Sequence, residues 1–283
     1  MVRIQNLSFG YSRKRLLFND LTLSLPKGRI YGLLGKNGAG KSTFLKNLSG
    51  LLFPTKGNIY VSGLEPKRRL PSFLENIYFI PEEVYVPSIS ISRYIKIFSP
   101  FYPKFNKTHF NHYLEMLEVD HSARLKSLSF GQQKKFIIAF ALASNTSLLL
   151  LDEPTNGLDI PSKAQFRRLV ASVMNEDRII FISTHQTRDL ENLIDTVLII
   201  DNGKLLLNAS IEQISKKLSF KTLGDIPADK SILFSEIAFG GFSIVMENLE
   251  KEDNQMNLEL LFNTVVLKPD AIKRLFDPLN ADK

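Results

Sequence analysis

The 283-residue sequence contains no cysteine. Disulfides and thiolate metal sites are thereby excluded, and the lack of a disulfide framework suits a reducing compartment. Long apolar runs are missing too. The most apolar stretch, around Leu148–Leu151, is short and bounded by charge, far below the roughly 20 apolar residues that a membrane span needs. The opening residues, Met1-Val2-Arg3-Ile4-Gln5-Asn6, have no apolar core of a secretory signal, so none is expected. If the protein works at a membrane, another chain must span it. Blocks of one charge sign are also lacking. The net charge of +7 is scattered, and its densest cluster, Lys67-Arg68-Arg69, is short. No aromatic-interleaved basic stripe of the kind that holds single strands is present, and nucleic acid is not expected as a partner. No internal repeat, low-complexity tract or lipidation motif is seen.

What remains is ordinary for a soluble globular protein, with 44% hydrophobic and 23% charged residues. The length suits one large α/β domain and a small appendage. Arg3–Phe9 and Leu21–Leu25 alternate in polarity and read as half-buried strands. Arg29–Leu34 is more continuously apolar, as a central strand is. Ser42–Leu48 reads as a helix stopping at Gly50, and Gly57–Gly63 as a short strand. From about Val84 to Asn145 the periodicity is helical, with segments at Arg93–Phe98, Thr108–Leu117 and Gln132–Ala143. Strand–helix alternation then resumes: Leu148–Leu151, Ser162–Met174, Ile179–Ser183, a helix near Asp189–Ile194, and Val197–Ile200. Asp201-Asn202-Gly203-Lys204 is a hairpin turn signal. Such alternation implies a largely parallel sheet with helices on its faces. In the final part, Ile232–Met246 and Leu258–Leu267 look like strands and Pro269–Phe276 like a terminal helix.

Gly35-Lys36-Asn37-Gly38-Ala39-Gly40-Lys41-Ser42 has the form G-x-x-x-x-G-K-[ST] between a predicted strand and a predicted helix. Its glycines let backbone N–H groups turn inward around anionic oxygens, and the helix that follows points its positive end at them. Lys41 reaches the β- and γ-phosphates, and the Ser42 hydroxyl takes a Mg²⁺ position. Nucleoside triphosphate binding is expected, with Gly35, Asn37, Gly38, Ala39, Gly40, Lys41, Ser42 and Thr43 at the ligand. A second apolar run, Leu148–Leu151, ends in Asp152-Glu153. A buried strand delivers these carboxylates to the sheet edge where ligands of open α/β sheets bind. Asp152 is suited to the Mg²⁺ shell and Glu153 to the role of general base on water.

With these motifs in place the chain resembles an ABC ATPase over about residues 1–215. Leu128-Ser129-Phe130-Gly131-Gln132 resembles the family signature before a helix, Asn156-Gly157-Leu158-Asp159 the D-loop, and Ser183-Thr184-His185 the switch histidine. Tyr11, after Phe9-Gly10, resembles the aromatic residue that stacks on adenine. The resemblance implies a phosphate-loop NTPase core with an antiparallel β subdomain and a helical insertion at about residues 84–145. Residues 1–217 then form the ATPase domain, and residues 218–283 a small C-terminal α+β appendage. It also implies a head-to-tail homodimer sandwiching two ATP, in which Ser129, Gly131 and Gln132 face the other subunit's γ-phosphate. Asp159 contacts that subunit, and His185 bonds the γ-phosphate. The activity implied is ATP hydrolysis driving transport, at the cytoplasmic face of a membrane, through a separate polytopic permease docked in a groove beside Glu82 and the helical part.

Two residues depart from the family pattern. Glu82, in Tyr78-Phe79-Ile80-Pro81-Glu82-Glu83, stands where a Mg²⁺-sensing glutamine is usual. A carboxylate can also ligate Mg²⁺, and the Pro-Glu-Glu variant resembles subunits of the ABC-2 export kind. Phe130 replaces the glycine usual at the third signature position, and its bulk is expected to point away from the phosphate. The other readings are a non-transport ABC ATPase acting on ribosomes or DNA and a scaffold without turnover. Against the first stand a single phosphate loop and no long heptad insertion, and against the second the presence of Lys41, Asp152, Glu153 and His185. His109, His112 and His121 read as a solvated helix face.

Overall fold

The computed structural model describes residues 1–12, 15–187, 190, 192–226, 231–250, 252 and 255–276. In chain order the strands and helices are β1 (Val2–Phe9), β2 (Phe18–Leu25), β3 (Arg29–Leu34), α1 (Lys41–Leu48), β4 (Lys56–Val61), α2 (Pro71–Leu74), β5 (Ile77–Ile80), α3 (Ile91–Phe98), α4 (Lys107–Met116), α5 (Phe130–Ala143), β6 (Leu148–Asp152), α6 (Ile160–Ser172), β7 (Ile179–Thr184), β8 (Thr196–Asp201), β9 (Lys204–Ser210), α7 (Ile211–Lys217), β10 (Leu218–Leu223), β11 (Ile232–Ala238), β12 (Gly241–Glu247), α8 (Leu258–Leu267) and α9 (Pro269–Phe276). They fall into two compact units. One holds Met1–Ile30 and Lys41–Thr184, the other Tyr31–Gly40 and His185–Lys283.

In the first unit, β2, β1 and β4 form an antiparallel sheet in that order. Alternation in β2 puts Leu21, Leu23 and Leu25 on its buried face, as the period of two requires. Strands β5, β6 and β7 are neighbours and parallel, with Ile80 opposite Leu151 and Leu151 opposite Ile182. Every residue of β6 is buried. A strand covered on both faces has no need of alternation, which is why four leucines in a row suit it. Helix α1 is fixed by Phe44, whose ring meets Phe18 at 6.3 Å and Phe181 at 6.1 Å, both edge-on. Truncating such a buried ring costs about 3–5 kcal/mol.

The helical segment expected from about Val84 to Asn145 is α3, α4 and α5. Ser129 caps α5, accepting a hydrogen bond from Gln132 N at 3.3 Å while Gln132 Oε1 accepts from Ser129 N at 3.4 Å. This reciprocal capping box starts the helix at the signature residues. The far half of α5 is buried from Phe136 to Ala143. Phe140 lies at the centre of an aromatic cluster, with Tyr78, Tyr94, Tyr102, Phe105 and Phe110 within about 6 Å of its ring.

In the second unit β3 runs parallel to β8, and β8 turns back antiparallel into β9. The turn is Asn202-Gly203, both at positive φ, as the two-residue hairpin signal requires. Strands β10, β12 and β11 form a separate antiparallel sheet. The stretch expected as one strand, Ile232–Met246, is two strands joined at Phe239-Gly240. Leu258–Leu267, expected as a strand, is helix α8. Asn257 Oδ1 accepts from Leu260 N at 2.9 Å, and Leu258, Leu261 and Val265 recur at helical spacing on a buried face. The segment is apolar almost throughout, so periodicity alone could not separate strand from helix. Of the helix expected near Asp189–Ile194, residues Asp189 and Glu191 lie outside those described. Among the described residues no helix is long and apolar enough to cross a membrane.

Candidate functional site

The phosphate-type loop divides between the units at Gly40. In the second unit Gly38 has φ +80° and Gly40 φ +111°, backbone that side-chain-bearing residues rarely adopt. Ala39 N donates to Lys36 O at 3.1 Å and Ala39 O accepts from Gly203 N at 3.3 Å. His185, exposed, follows the last residue of β7 and also belongs to this unit.

In the first unit, α1 opens with Lys41, Ser42 and Thr43. Lys41 Nζ lies 3.6 Å from Glu153 Oε1, and each side chain is only 6% exposed. The chain thus brings two of its predicted site residues together as a buried ion pair. Asp152 ends β6, and its Oδ1 accepts from Ser183 Oγ at 2.5 Å. One carboxylate oxygen is thereby committed, which fixes where the other points. Ser183 also orders Glu153, whose N–H donates to both Ser183 O and Ser183 Oγ at 3.1 Å. Glu153 has φ +45°, a left-handed conformation costing a non-glycine residue about 1–2 kcal/mol.

A second buried cation supports that turn. Lys134 on α5 is fully buried, and its Nζ donates to Glu153 O at 2.6 Å, Asn156 O at 3.1 Å and Glu82 O at 3.2 Å. Burial pushes the Lys134 pKa down, and the charges of Glu82, Glu153 and Asp152 oppose that shift. The Glu82 side chain, exposed, accepts from Asn156 Nδ2 at 3.2 Å.

Around these groups, Tyr11 is exposed, hydrogen-bonds Thr43 Oγ1 at 2.9 Å and packs edge-on against Phe9, leaving ring surface open for stacking. The Phe130 ring lies against Gly157, where an added Cβ would sit 3.0 Å from the ring carbons. Gly131 is held as close, since a Cβ there would come within 2.9 Å of Gly157 O. Ser129 and Gln132 are engaged with each other in the capping box. Asp159 caps α6, accepting from Ser162 N at 3.0 Å, and these hydrogen bonds from Ser162 hold its pKa below the usual range. His109, His112 and His121 are exposed.

The description "ABC transporter" fits residues 18–156. The lantibiotic transport ATP-binding protein SrtF of Streptococcus pyogenes is 34% identical over 215 residues, covering 73% of this chain and 90% of that one. The chain belongs to the ABC transporter ATP-binding proteins. The bacitracin transport ATP-binding protein BcrA of Bacillus licheniformis is also 34% identical, over 77% of this chain and 72% of its own length. A solved dimeric ATP-binding cassette, in a post-hydrolysis state with ADP and Pi, shares the fold at 20% identity with a TM-score of 0.66, covering 75% of this chain and 99% of that one.

This ABC ATPase therefore binds and hydrolyses ATP to drive transport. Its hydroxyl at Ser42 and carboxylate at Asp152 are hard oxygen donors that suit Mg²⁺, an ion held by one or two carboxylates and phosphate oxygens rather than by an all-protein cage. Sequence reasoning did not single out Lys134, or Ser183 beyond its place in the switch motif. For Lys134 a signal existed: Ile137, Ile138 and Ala141 lie three, four and seven residues on, all buried, so the lysine sits on the apolar face of its helix.

Proposed function

We propose that the chain is the ATP-driven motor of an exporter whose membrane-spanning part is a separate polytopic protein. The observation that carries this reading is the buried Lys41–Glu153 pair beside Asp152, a cation for phosphate and a carboxylate for water at one strand end. Glu153 acts as general base, taking a proton as the water oxygen bonds to the γ-phosphorus and the bond from that phosphorus to the bridging oxygen of ADP breaks. Lys41, together with the backbone of Gly35, Asn37, Gly38, Ala39 and Gly40, binds the phosphates, and Thr43 lies beside them. Ser42, Asp152 and Glu82 would hold Mg²⁺, which would supply charge neutralisation to the bound phosphates. His185 orients the γ-phosphate, and Tyr11 stacks on adenine.

The working state is a homodimer with two ATP between the copies, in which Ser129, Gly131 and Gln132 close over the partner copy's γ-phosphate and Asp159 meets the partner copy. Ile160, next to Asp159, is 84% exposed, and an apolar side chain left in solvent beside a capping aspartate suits an interface. A groove of about 710 Å³ lined by Leu51, Arg69, Leu74, Phe79, Phe101 and Tyr102 suits a cytoplasmic segment of the permease. Relatives named for lantibiotic transport, bacitracin transport and SkfA peptide export support export of the ABC-2 kind, with the chain on the cytoplasmic face. Residues 1–217 are the ATPase domain, and residues 218–283 an appended domain. The test is capture of a tagged Glu153→Gln chain from gently solubilised membranes with ATP. A polytopic membrane protein recovered in stoichiometric amount is expected. Ribosomes or DNA-bound proteins in its place would overturn the transport reading.

A further inference from the structure

Helix α5 touches the turn after β6 at three points. Gly131 is in backbone contact with Gly157, the Phe130 ring covers Gly157, and one helical turn on, Lys134 reaches under the turn. An ammonium has three donors. All three are used here on backbone carbonyls, from the segment after β5, the residue just past β6 and the D-loop. Lone burial of a lysine charge is costly, and a methionine or leucine would fill an apolar position without that cost. The arrangement thus spends stability to hold three carbonyls, one of which belongs to the strained peptide of Glu153. Asn156 N donates to the same Glu153 carbonyl at 3.2 Å, and Asn156 Nδ2 returns to Glu82. The network closes on itself around Nζ.

We infer that Lys134 is a positioning residue for hydrolysis: its three-carbonyl clamp fixes the Glu153 turn in its catalytic geometry and ties that geometry to the signature end of α5. This rests on the reading of Glu153 as the general base. Since the signature of one copy faces the ATP of the other in that reading, closure over one ATP is transmitted through Lys134 to the base that serves the other.

The test is a double-mutant cycle on ATP turnover by the purified full chain. Lys134→Met keeps the length and removes the donors. The expected result is a kcat lower by about 10- to 100-fold, the scale of a misplaced catalytic group, with KM for ATP changed less than about threefold. Lys134→Arg, which keeps charge and donors, is expected to recover part of the loss. In a Glu153→Gln background Lys134→Met should cost almost nothing more, because the group it positions is already disabled. Should the Met variant fail to fold, Lys134→Gln, with two donors, enters the same cycle. Unchanged kcat in the single variant, or the same fractional loss in both backgrounds, would overturn the proposal. Wild-type turnover by Glu153→Gln alone would instead remove Glu153 as base, a separate failure.

Discussion

Strand β6 has a buried cation at each end. Near its start, Arg178 donates to Thr146 O at 3.0 Å, Val173 O at 2.7 Å and Asn145 Oδ1 at 3.1 Å. Past its end, Lys134 holds Glu82, Glu153 and Asn156. Burial lowers both pKa values. Each cation also braces a residue at positive φ, Asn145 at one end and Glu153 at the other. Asparagine takes that conformation readily and glutamate does not. At the Arg178 end, as at the other, all the hydrogen-bond acceptors are neutral, and the planar guanidinium ties the loop between α6 and β7 to the residues just before β6. At the Lys134 end three carboxylates act on a compact ammonium, and the held backbone carries the side chain that faces Lys41. On the proposed reading, similar devices serve packing in one place and chemistry in the other, and the charged surroundings distinguish them.

The comparison breaks most visibly at Glu153. Replacing it by glutamine leaves the turn hydrogen bonds in place but removes the proposed base. Turnover measured by phosphate release is expected to fall by about 10²–10⁴-fold, with ATP still bound. Lys41→Ala comes next. With its ammonium gone, the buried Glu153 carboxylate faces the phosphates uncompensated, and loss of such a charge partner is worth about 2–5 kcal/mol. Equilibrium ATP titration should show at least a tenfold weaker Kd, and an unchanged Kd would contradict the phosphate role.

Arg178→Met sharpens the contrast between the two ends. It should lower unfolding free energy by about 2–5 kcal/mol, because buried carbonyls lose their donors. Turnover per folded molecule should stay near wild type, whereas a kcat loss without a stability loss would erase the distinction drawn between the ends. The smallest effect lies at alkaline pH. Burial raises the pKa of Tyr78, Tyr94 and Tyr102, the last from 10.0 to about 12. A folded-state pKa above the unfolded one contributes stability that is complete below pH 10 and lost as pH rises toward 12. Denaturant midpoints measured across that window should fall, and Tyr102→Phe should flatten the fall.

Much of this was legible in the sequence, and the illegible part has a common cause. The β3 run Arg29–Leu34 and the Asn202-Gly203 turn are written in local patterns, and so are the glycine loop and the acid pair after four leucines. Each depends on neighbours within a few residues. Lys134 depends on carbonyls 19, 22 and 52 residues away, so a basic pair on a helix reads as surface until the turn is placed beneath it. The side of Gly157 that Phe130 covers is likewise a tertiary fact. Helix α8 is illegible for the opposite reason: its local pattern is apolar on too many faces to choose a period.

In the proposed cycle, two copies of this chain close over ATP and then hydrolyse it. The most direct measurement is the mass and nucleotide content of the Glu153→Gln chain with ATP and Mg²⁺. A complex of two chains holding two intact ATP, falling apart when ATP is removed, is the expected result. ATP bound to single chains at every concentration tested would contradict it.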